Sequence, residues 1–197
     1  MTTPKRRLRE EVRRARLAQP DKDALSRRIC AAVMALPEYA AARTVLWYVD
    51  AGGEVRTRLT LPEALARGQR VAVPYCVVER SELELFHLED VSELAAGAYG
   101  ILEPREELRR RPGKVVLPLE VDLVVPGVAF DRRGGRLGQG YYDRLLTRTR
   151  PDALLSGLAF ECQVVPEVPS DPHDVVVDVV LTEAEQHRVR GDPRPQG

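Results

Sequence analysis

The chain has no apolar run approaching the ~20 residues that a membrane-spanning helix needs. Nor does a hydrophobic stretch follow its basic N-terminus, so neither a membrane span nor a secretory signal is expected. Net charge of one sign is also missing: among 197 residues, 30 Lys and Arg balance 30 Asp and Glu. Such a molecule is not a general polyanion binder, and nucleic acid is not an expected partner. Cysteine is scarce, and Cys30, Cys76 and Cys162 lie far apart without zinc-ligand spacing. They read as reduced, packed thiols, and the expected compartment is the cytoplasm. The generic nucleotide motifs fail too. No GxxxxGK precedes Ser or Thr, and "GQGYYD" lacks the third glycine of GxGxxG.

What is present alternates between helix and strand. Lys5 to Leu17 reads as a strongly basic helix with a thin apolar stripe of Leu8, Val12 and Leu17, broken by Pro20. Leu25, Ile29, Ala32, Val33 and Leu36 repeat at helical spacing in a second helix, capped by Asp21 or Asp23 and ended by Pro37. Strands are expected at "TVLWYV", "RVAVPYC", "ELELFHL", "VDLVVPGVAF", "ALLSGLAF" and "VDVVLT", with short helices at "LPEALARG" and Tyr142–Thr149. The continuous apolar run "VDLVVPGVAF" has the pattern of a strand covered on both faces. This succession predicts an α/β fold with a mostly parallel central sheet. One domain is expected over residues 1–187, with a disordered tail over 188–197.

Ligands of open α/β sheets sit beyond the carboxyl ends of strands, which is where "DRRGGRLGQGYYDRLL" falls. Glycines let backbone N–H groups approach anionic oxygens, and Arg132, Arg133 and Arg136 could neutralise phosphate. Asp143 is a hard oxygen ligand suited to Mg²⁺. A phosphate loop and a structural hairpin both fit this local pattern. "KRRLREEVRRAR" reads as a surface helix paired internally through Glu10 and Glu11, or as an arm bringing Lys5 and Arg9 to a phosphate. Glu54 follows two glycines after a strand, and "PSDPHD" gathers Asp171, His173 and Asp174 in a proline-rich loop. A turn is the default reading of both. His87 and His187 receive no role.

Taken in order, "KRRLR", "GGEVRT", "VAVP", "YGILEP", "LVVPGVAFDRRGGRLGQGYYDRLL" and "GLAFECQ" with the later "PHDVVVD" resemble the 5-formyltetrahydrofolate cyclo-ligase family. The resemblance spans nearly the full chain. It implies a monomer that uses MgATP to convert 5-formyltetrahydrofolate to 5,10-methenyltetrahydrofolate, ADP and phosphate. It also implies a three-layer α/β sandwich related to sugar-phosphate isomerases and CoA transferases. By the same resemblance, Lys5, Leu8 and Arg9, with Arg6 and Arg7 between them, contact ATP. Arg136, Leu137, Gly138, Gln139 and Gly140 hold its phosphates, with Arg136 stabilising the transferred group, and Tyr141 and Tyr142 lie beside the substrates. Glu54 and Val49 meet folate, and Asp143 and Asp174 serve Mg²⁺. No covalent nucleophile is implied, consistent with the absence of a visible triad.

The family pattern reads Gly-x-Gly-x-Gly before Tyr-Tyr-Asp, whereas Gly140 here runs straight into Tyr141. Two residues are missing, which removes up to about 7 Å of contour. A shortened phosphate loop leaves open a relative that binds folate or nucleotide with reduced turnover.

Overall fold

A computed structural model describes residues 3–138, 140–171 and 174–189. Helix α1 (Pro4–Ala18) starts at a proline, whose missing N–H is an orphan there anyway, and Thr3 caps it by accepting from the Arg6 N–H. Its stripe differs from the expected one. Val12 and Arg16 are buried, whereas Leu17 is 64% exposed. Helix α2 (Lys22–Met34) buries Ile29, Cys30 and Val33, and Pro37 opens a further helix, α3 (Pro37–Ala41), instead of merely ending α2. Strand β1 (Thr44–Leu46) follows, then α4 (Leu61–Ala66) and the hairpin of β2 (Arg70–Val77) and β3 (Glu82–Leu88). A small hairpin of β4 (Leu94–Ala96) and β5 (Leu102–Pro104) precedes α5 (Glu106–Arg109), β6 (Val115–Val116) and β7 (Asp122–Val125). The chain continues through β8 (Ala129–Asp131), β9 (Arg136–Leu137), α6 (Tyr141–Leu146) and β10 (Leu155–Leu158). It closes with β11 (Val164–Val165), β12 (Val179–Leu181) and β13 (Gln186–Arg188). Residues 190–197 of the expected tail lie outside the described residues.

The largest sheet has the order β13-β12-β10-β7-β1-β2-β3-β6. Side chains of successive strand residues point to opposite faces, and both faces are covered. Val45, Trp47, Val71, Val73, Val179 and Leu181 pack with α2, α3 and α4, whereas Leu46, Ala72 and Val180 pack on the other face with Leu145 and Leu146 of α6. The buried alternation explains why these strands read as continuous apolar runs.

The expectation of a mostly parallel sheet is overturned. Parallel pairing in this sheet is confined to β12, β10, β7, β1 and β2. β13, β3 and β6 pair antiparallel; of two further sheets, β4-β5 is antiparallel, and β11-β8-β9 joins a parallel β11–β8 pair to an antiparallel β8–β9 pair. Among the described residues the antiparallel ladders carry more pairs: Val71↔Leu88 to Val77↔Glu82 spans seven, against two or three for each parallel pairing. Connection length is the physical reason. A parallel pair needs a long crossover, but β2 reaches β3 through Val78–Arg80 and a left-handed Ser81 (φ 51°), so the strands fold back. β12 reaches β13 through a turn that Thr182 Oγ1 stabilises by accepting from the N–H groups of Ala184 and Glu185.

The run "VDLVVPGVAF" also departs from expectation. It is two strands in two sheets, parted at Pro126, which has no N–H to continue a ladder. Gln163 Nε2 holds the bend by donating to the carbonyls of Gly127 (3.1 Å) and Val128 (3.0 Å). Among the described residues no helix is long and apolar enough to cross a membrane.

Candidate functional site

The bend after β7 opens onto the loop that sequence analysis singled out, and Asp131 sets its shape. One carboxylate oxygen accepts from the N–H groups of Arg133 (2.9 Å) and Gly135 (2.9 Å), and the other from Val168 (2.9 Å). Gly134 turns the chain at φ 83°, with the Val177 carbonyl only 2.3 Å from where a Cβ would stand. This tight turn sends β9 back along β8 and places Arg136 under the loop. Its side chain is 1% exposed and ion-paired with Asp143 on α6. Gly138 allows the guanidinium to lie there, since a Cβ would sit 2.2 Å from Arg136 Nη1.

Helix α1 crosses the same loop. Leu8 and Val12 pack against Val128, Ala129, Leu137 and Val168, fixing the helix on the small sheet. Arg9 Nη2 then donates to the Gly138 carbonyl at 3.1 Å. Lys5 Nζ lies 2.6 Å from Asp171 and 3.0 Å from Asp174. The hydrogen bond that Lys5 Nζ donates to Asp171 holds the ammonium above its ordinary value, and partial desolvation opposes it. Lys5, Arg9, Arg13, Arg136, Asp143, Asp171 and Asp174 thus line one polar cavity of about 550 Å³.

A second cavity, about 420 Å³ and more apolar, adjoins it. Tyr48, Val49, Pro74, Val128, Tyr141 and Tyr142 supply walls, and Glu54 and Glu103 bring carboxylates to it. Arg13, Arg136 and Gly138 border both spaces. The Glu54 backbone is turned by the N–H of Glu54 donating to Ala51, and its Oε2 accepts from the Ala51 N–H at 3.0 Å. Burial raises the Glu54 carboxyl above its usual range, against the Ala51 hydrogen bond and the nearby Arg16. Burial, with the Glu54 charge next, likewise holds Tyr142 protonated well above the usual phenol value. Tyr99 closes the rim, its hydroxyl 3.2 Å from that of Tyr141. The loop carrying Tyr99 hangs on buried Glu103, whose oxygens accept from Cys76 (3.0 Å) and Ala98 (2.9 Å).

Most of the residues expected at the site therefore meet. Lys5, Arg9, Arg136, Leu137, Gly138, Gly140, Asp143 and Asp174 surround the first space, and Val49, Glu54, Tyr141 and Tyr142 the second. Arg6 and Arg7 do not line either cavity. They are exposed and pair with Glu10 and Glu11 one turn along. Leu8 is a packing residue. Arg133 is exposed and pairs with Glu167. Gln139 and His173 lie outside the described residues. α6 spans only Tyr141–Leu146, shorter than expected and too short for its dipole to carry an anion site. Arg13 and Tyr99 were missed, and Asp171, named in the proline-rich loop but read as part of a turn, lines the polar cavity. The first was legible as the next turn after Lys5 and Arg9, four residues on.

Asp143 and Asp174 share a cavity, yet among the described residues no group of three or more His, Cys, Asp or Glu clusters as a metal cage. Such a donor set fits a cation held by one or two carboxylates and completed by phosphate oxygens, the usual habit of Mg²⁺.

A sequence model described as the 5-formyltetrahydrofolate cyclo-ligase family matches residues 1–183. A 5-formyltetrahydrofolate cyclo-ligase of Haemophilus influenzae is 30% identical over 191 residues, covering 92% of this chain and 99% of that one. The solution structure of Aquifex aeolicus 5,10-methenyltetrahydrofolate synthetase is similar with a TM-score of 0.81 and 34% identity, over 99% and 97% of the two chains. A Mycoplasma pneumoniae 5,10-methenyltetrahydrofolate synthetase shares the fold at TM-score 0.71 and 21% identity, over 92% and 99%. Neither structure bears on sugar-phosphate isomerases or CoA transferases, so the expected kinship to those folds is not borne out.

Proposed function

The chain belongs to the 5-formyltetrahydrofolate cyclo-ligase family, and on that footing we propose that its polar cavity seats MgATP and its apolar cavity the pteridine of 5-formyltetrahydrofolate. The products are 5,10-methenyltetrahydrofolate, ADP and phosphate. One observation carries the reading: the two spaces share Arg13, Arg136 and Gly138 as a common wall, so a γ-phosphate in one can face a formyl oxygen in the other. In this scheme the formyl oxygen attacks the γ-phosphorus and ADP leaves. N10 then attacks the activated formyl carbon and gives up its proton to solvent, and the C–O bond breaks to release phosphate. No protein nucleophile takes part.

The side chains position and neutralise, as phosphoryl transfer requires. Lys5, Arg9 and Arg136 meet phosphate oxygens, and Arg136 is buried, where a fixed charge acts most strongly. Glu54 accepts from the amide and amino edge of the pteridine with two oxygens, the match a carboxylate also makes with guanidinium. Tyr48 and Tyr142 exclude water that would otherwise take the phosphoryl group. Asp143 and Asp174 would hold Mg²⁺, which when bound offsets phosphate charge. We place the enzyme in the cytoplasm as a monomer.

The test is the rise in methenyl absorbance when purified protein meets both substrates and Mg²⁺. No rise at saturation would reject the reading. Asp143→Asn should raise the Mg²⁺ concentration for half-maximal rate by about tenfold, and an unchanged metal titration would remove Asp143 from the ion. The loop, two residues short, should weaken the hold on the γ-phosphate. Inserting Gly-Lys after Gly140 should therefore lower the ATP KM severalfold. An unchanged or higher KM would mean that the shorter loop already closes on the phosphates.

A further inference from the structure

At the far end of α1 from Lys5 lies an arginine that the scheme above leaves unused. Arg16 is 7% exposed, and its Nε and Nη1 are buried without a hydrogen-bond partner. A buried donor left unpaired costs about 1–3 kcal/mol, more for a charged group, so a guanidinium in this state calls for a reason. Its side chain lies along the backbone of Gly53, whose Cβ position would be 3.5 Å from Arg16 Nε, and Nη1 reaches to 4.0 Å from Glu54 Oε1. That separation is an ion pair but not a hydrogen bond. Glu54 Oε2 is already occupied by the Ala51 N–H.

We propose that Arg16 is a positioning residue for folate binding: from behind the apolar cavity it keeps the Glu54 carboxylate charged without occupying the oxygens that face the pteridine. The proposal deepens the function assigned above and rests on Glu54 meeting the substrate. A hydrogen-bonded arginine would compete with the ligand for the same lone pairs, whereas one at 4.0 Å supplies field alone. The groups facing Glu54 are Arg16 and Arg13 from α1, Asp50 and Tyr48 from the segment after β1, and Tyr142 from α6. Burial, and after it Asp50, push the carboxyl toward its neutral form; the Ala51 hydrogen bond opposes them, and the opposing charges are Arg16 and Arg13. Arg13 is exposed and screened by water, which leaves Arg16 as the effective counter-charge.

The sign follows. Without the Arg16 charge, Glu54 protonates at higher pH, so folate affinity should fall most at low pH and recover as pH rises. The experiment is calorimetric binding of 5-formyltetrahydrofolate, without ATP, to wild type, Arg16→Gln, Arg16→Lys and Glu54→Gln between pH 5.5 and 8.5. Arg16→Gln should bind roughly five- to tenfold more weakly at pH 5.5, a loss of the size of one ion pair, and within about twofold of wild type at pH 8.5. Arg16→Lys should follow the wild-type profile, and ATP affinity should not change in either variant. A loss equal at all pH values, or none in a folded Arg16→Gln protein, overturns the proposal. If Arg16→Gln does not fold, Arg16→Lys decides: a profile displaced to higher pH overturns the proposal, and one matching wild type supports it. Glu54→Gln separates the two readings. If it binds folate as wild type does, the assignment of Glu54 fails; if it binds weakly while Arg16→Gln matches wild type, only the role of Arg16 fails.

Discussion

Arg136→Met should lower kcat/KM for ATP by two to three orders of magnitude while moving the folate KM less than about threefold. The size follows from what a fixed, buried charge does for a developing phosphoryl anion. Removing one preorganised donor costs about 10²–10³ in rate in comparable sites. Arg136 is 1% exposed and is held by the ion pair with Asp143 and by a loop whose glycine yields space to it. It therefore needs no reorganisation when charge moves. The same variant strands Asp143 in the polar cavity, turning an attractive site for a polyanion into a repulsive one. Asp143 keeps 24% exposure, so its stability cost is discounted for water and should be about 1–2 kcal/mol. The double variant Arg136→Met, Asp143→Asn distinguishes the two effects. It should regain most of the urea midpoint and none of the ATP kcat/KM. Recovery of activity with stability would mean that Arg136 only props the loop, and equal changes in both KM values would contradict the division between the cavities.

The parts of this fold that were legible were those where local pattern and burial agree. The basic helix, the alternating β3 and the buried β1, β2 and β12 all formed where periodicity placed them, since each answers to one repeat length. Strand direction was not legible. Ser81 adopts a left-handed conformation that no Asn-Gly or Asp-Gly announces, and without that turn β2 and β3 read as two separate units of a parallel sheet. The break at Pro126 was written in the sequence but outweighed by the apolar run around it. On α1 the apolar stripe misled for a different reason: Leu17 looks like core and Arg16 like surface, and the structure buries the arginine beside Glu54, 38 positions away. Long-range charge pairing leaves no local signature. The candidate site was readable from motif order, yet the motif could not separate Arg9, which faces the cavity, from Arg6 and Arg7, which face water. Helical phase does so, for Lys5, Arg9 and Arg13 recur every four residues.

The second large effect concerns Glu54→Gln, which should raise the folate KM about 100-fold and leave the ATP KM within about twofold. A carboxamide keeps the size but offers one acceptor where there were two, and turns an N–H₂ toward a pteridine edge that itself donates. A site built to accept, then faced with donor against donor, loses affinity steeply because a buried polar pair is left unmet. Stability should move the other way. Burial raises the Glu54 carboxyl in the folded protein above the 4.5 of a free side chain, so the fold binds that proton more tightly than the unfolded chain does. Stability is then fully present below 4.5, declines as pH rises through the window between 4.5 and the raised folded value, and stays lower above it. Glutamine mimics the protonated form at every pH. At pH 7.5 the variant should unfold at a urea concentration no lower than wild type, and the wild-type advantage in folate binding should fade as pH drops and Glu54 itself becomes neutral. A variant that lost urea resistance at pH 7.5 along with folate affinity would make Glu54 a structural partner of Arg16. One that lost affinity alone would mark Glu54 as a residue kept charged, at a cost to the fold, for the sake of its ligand.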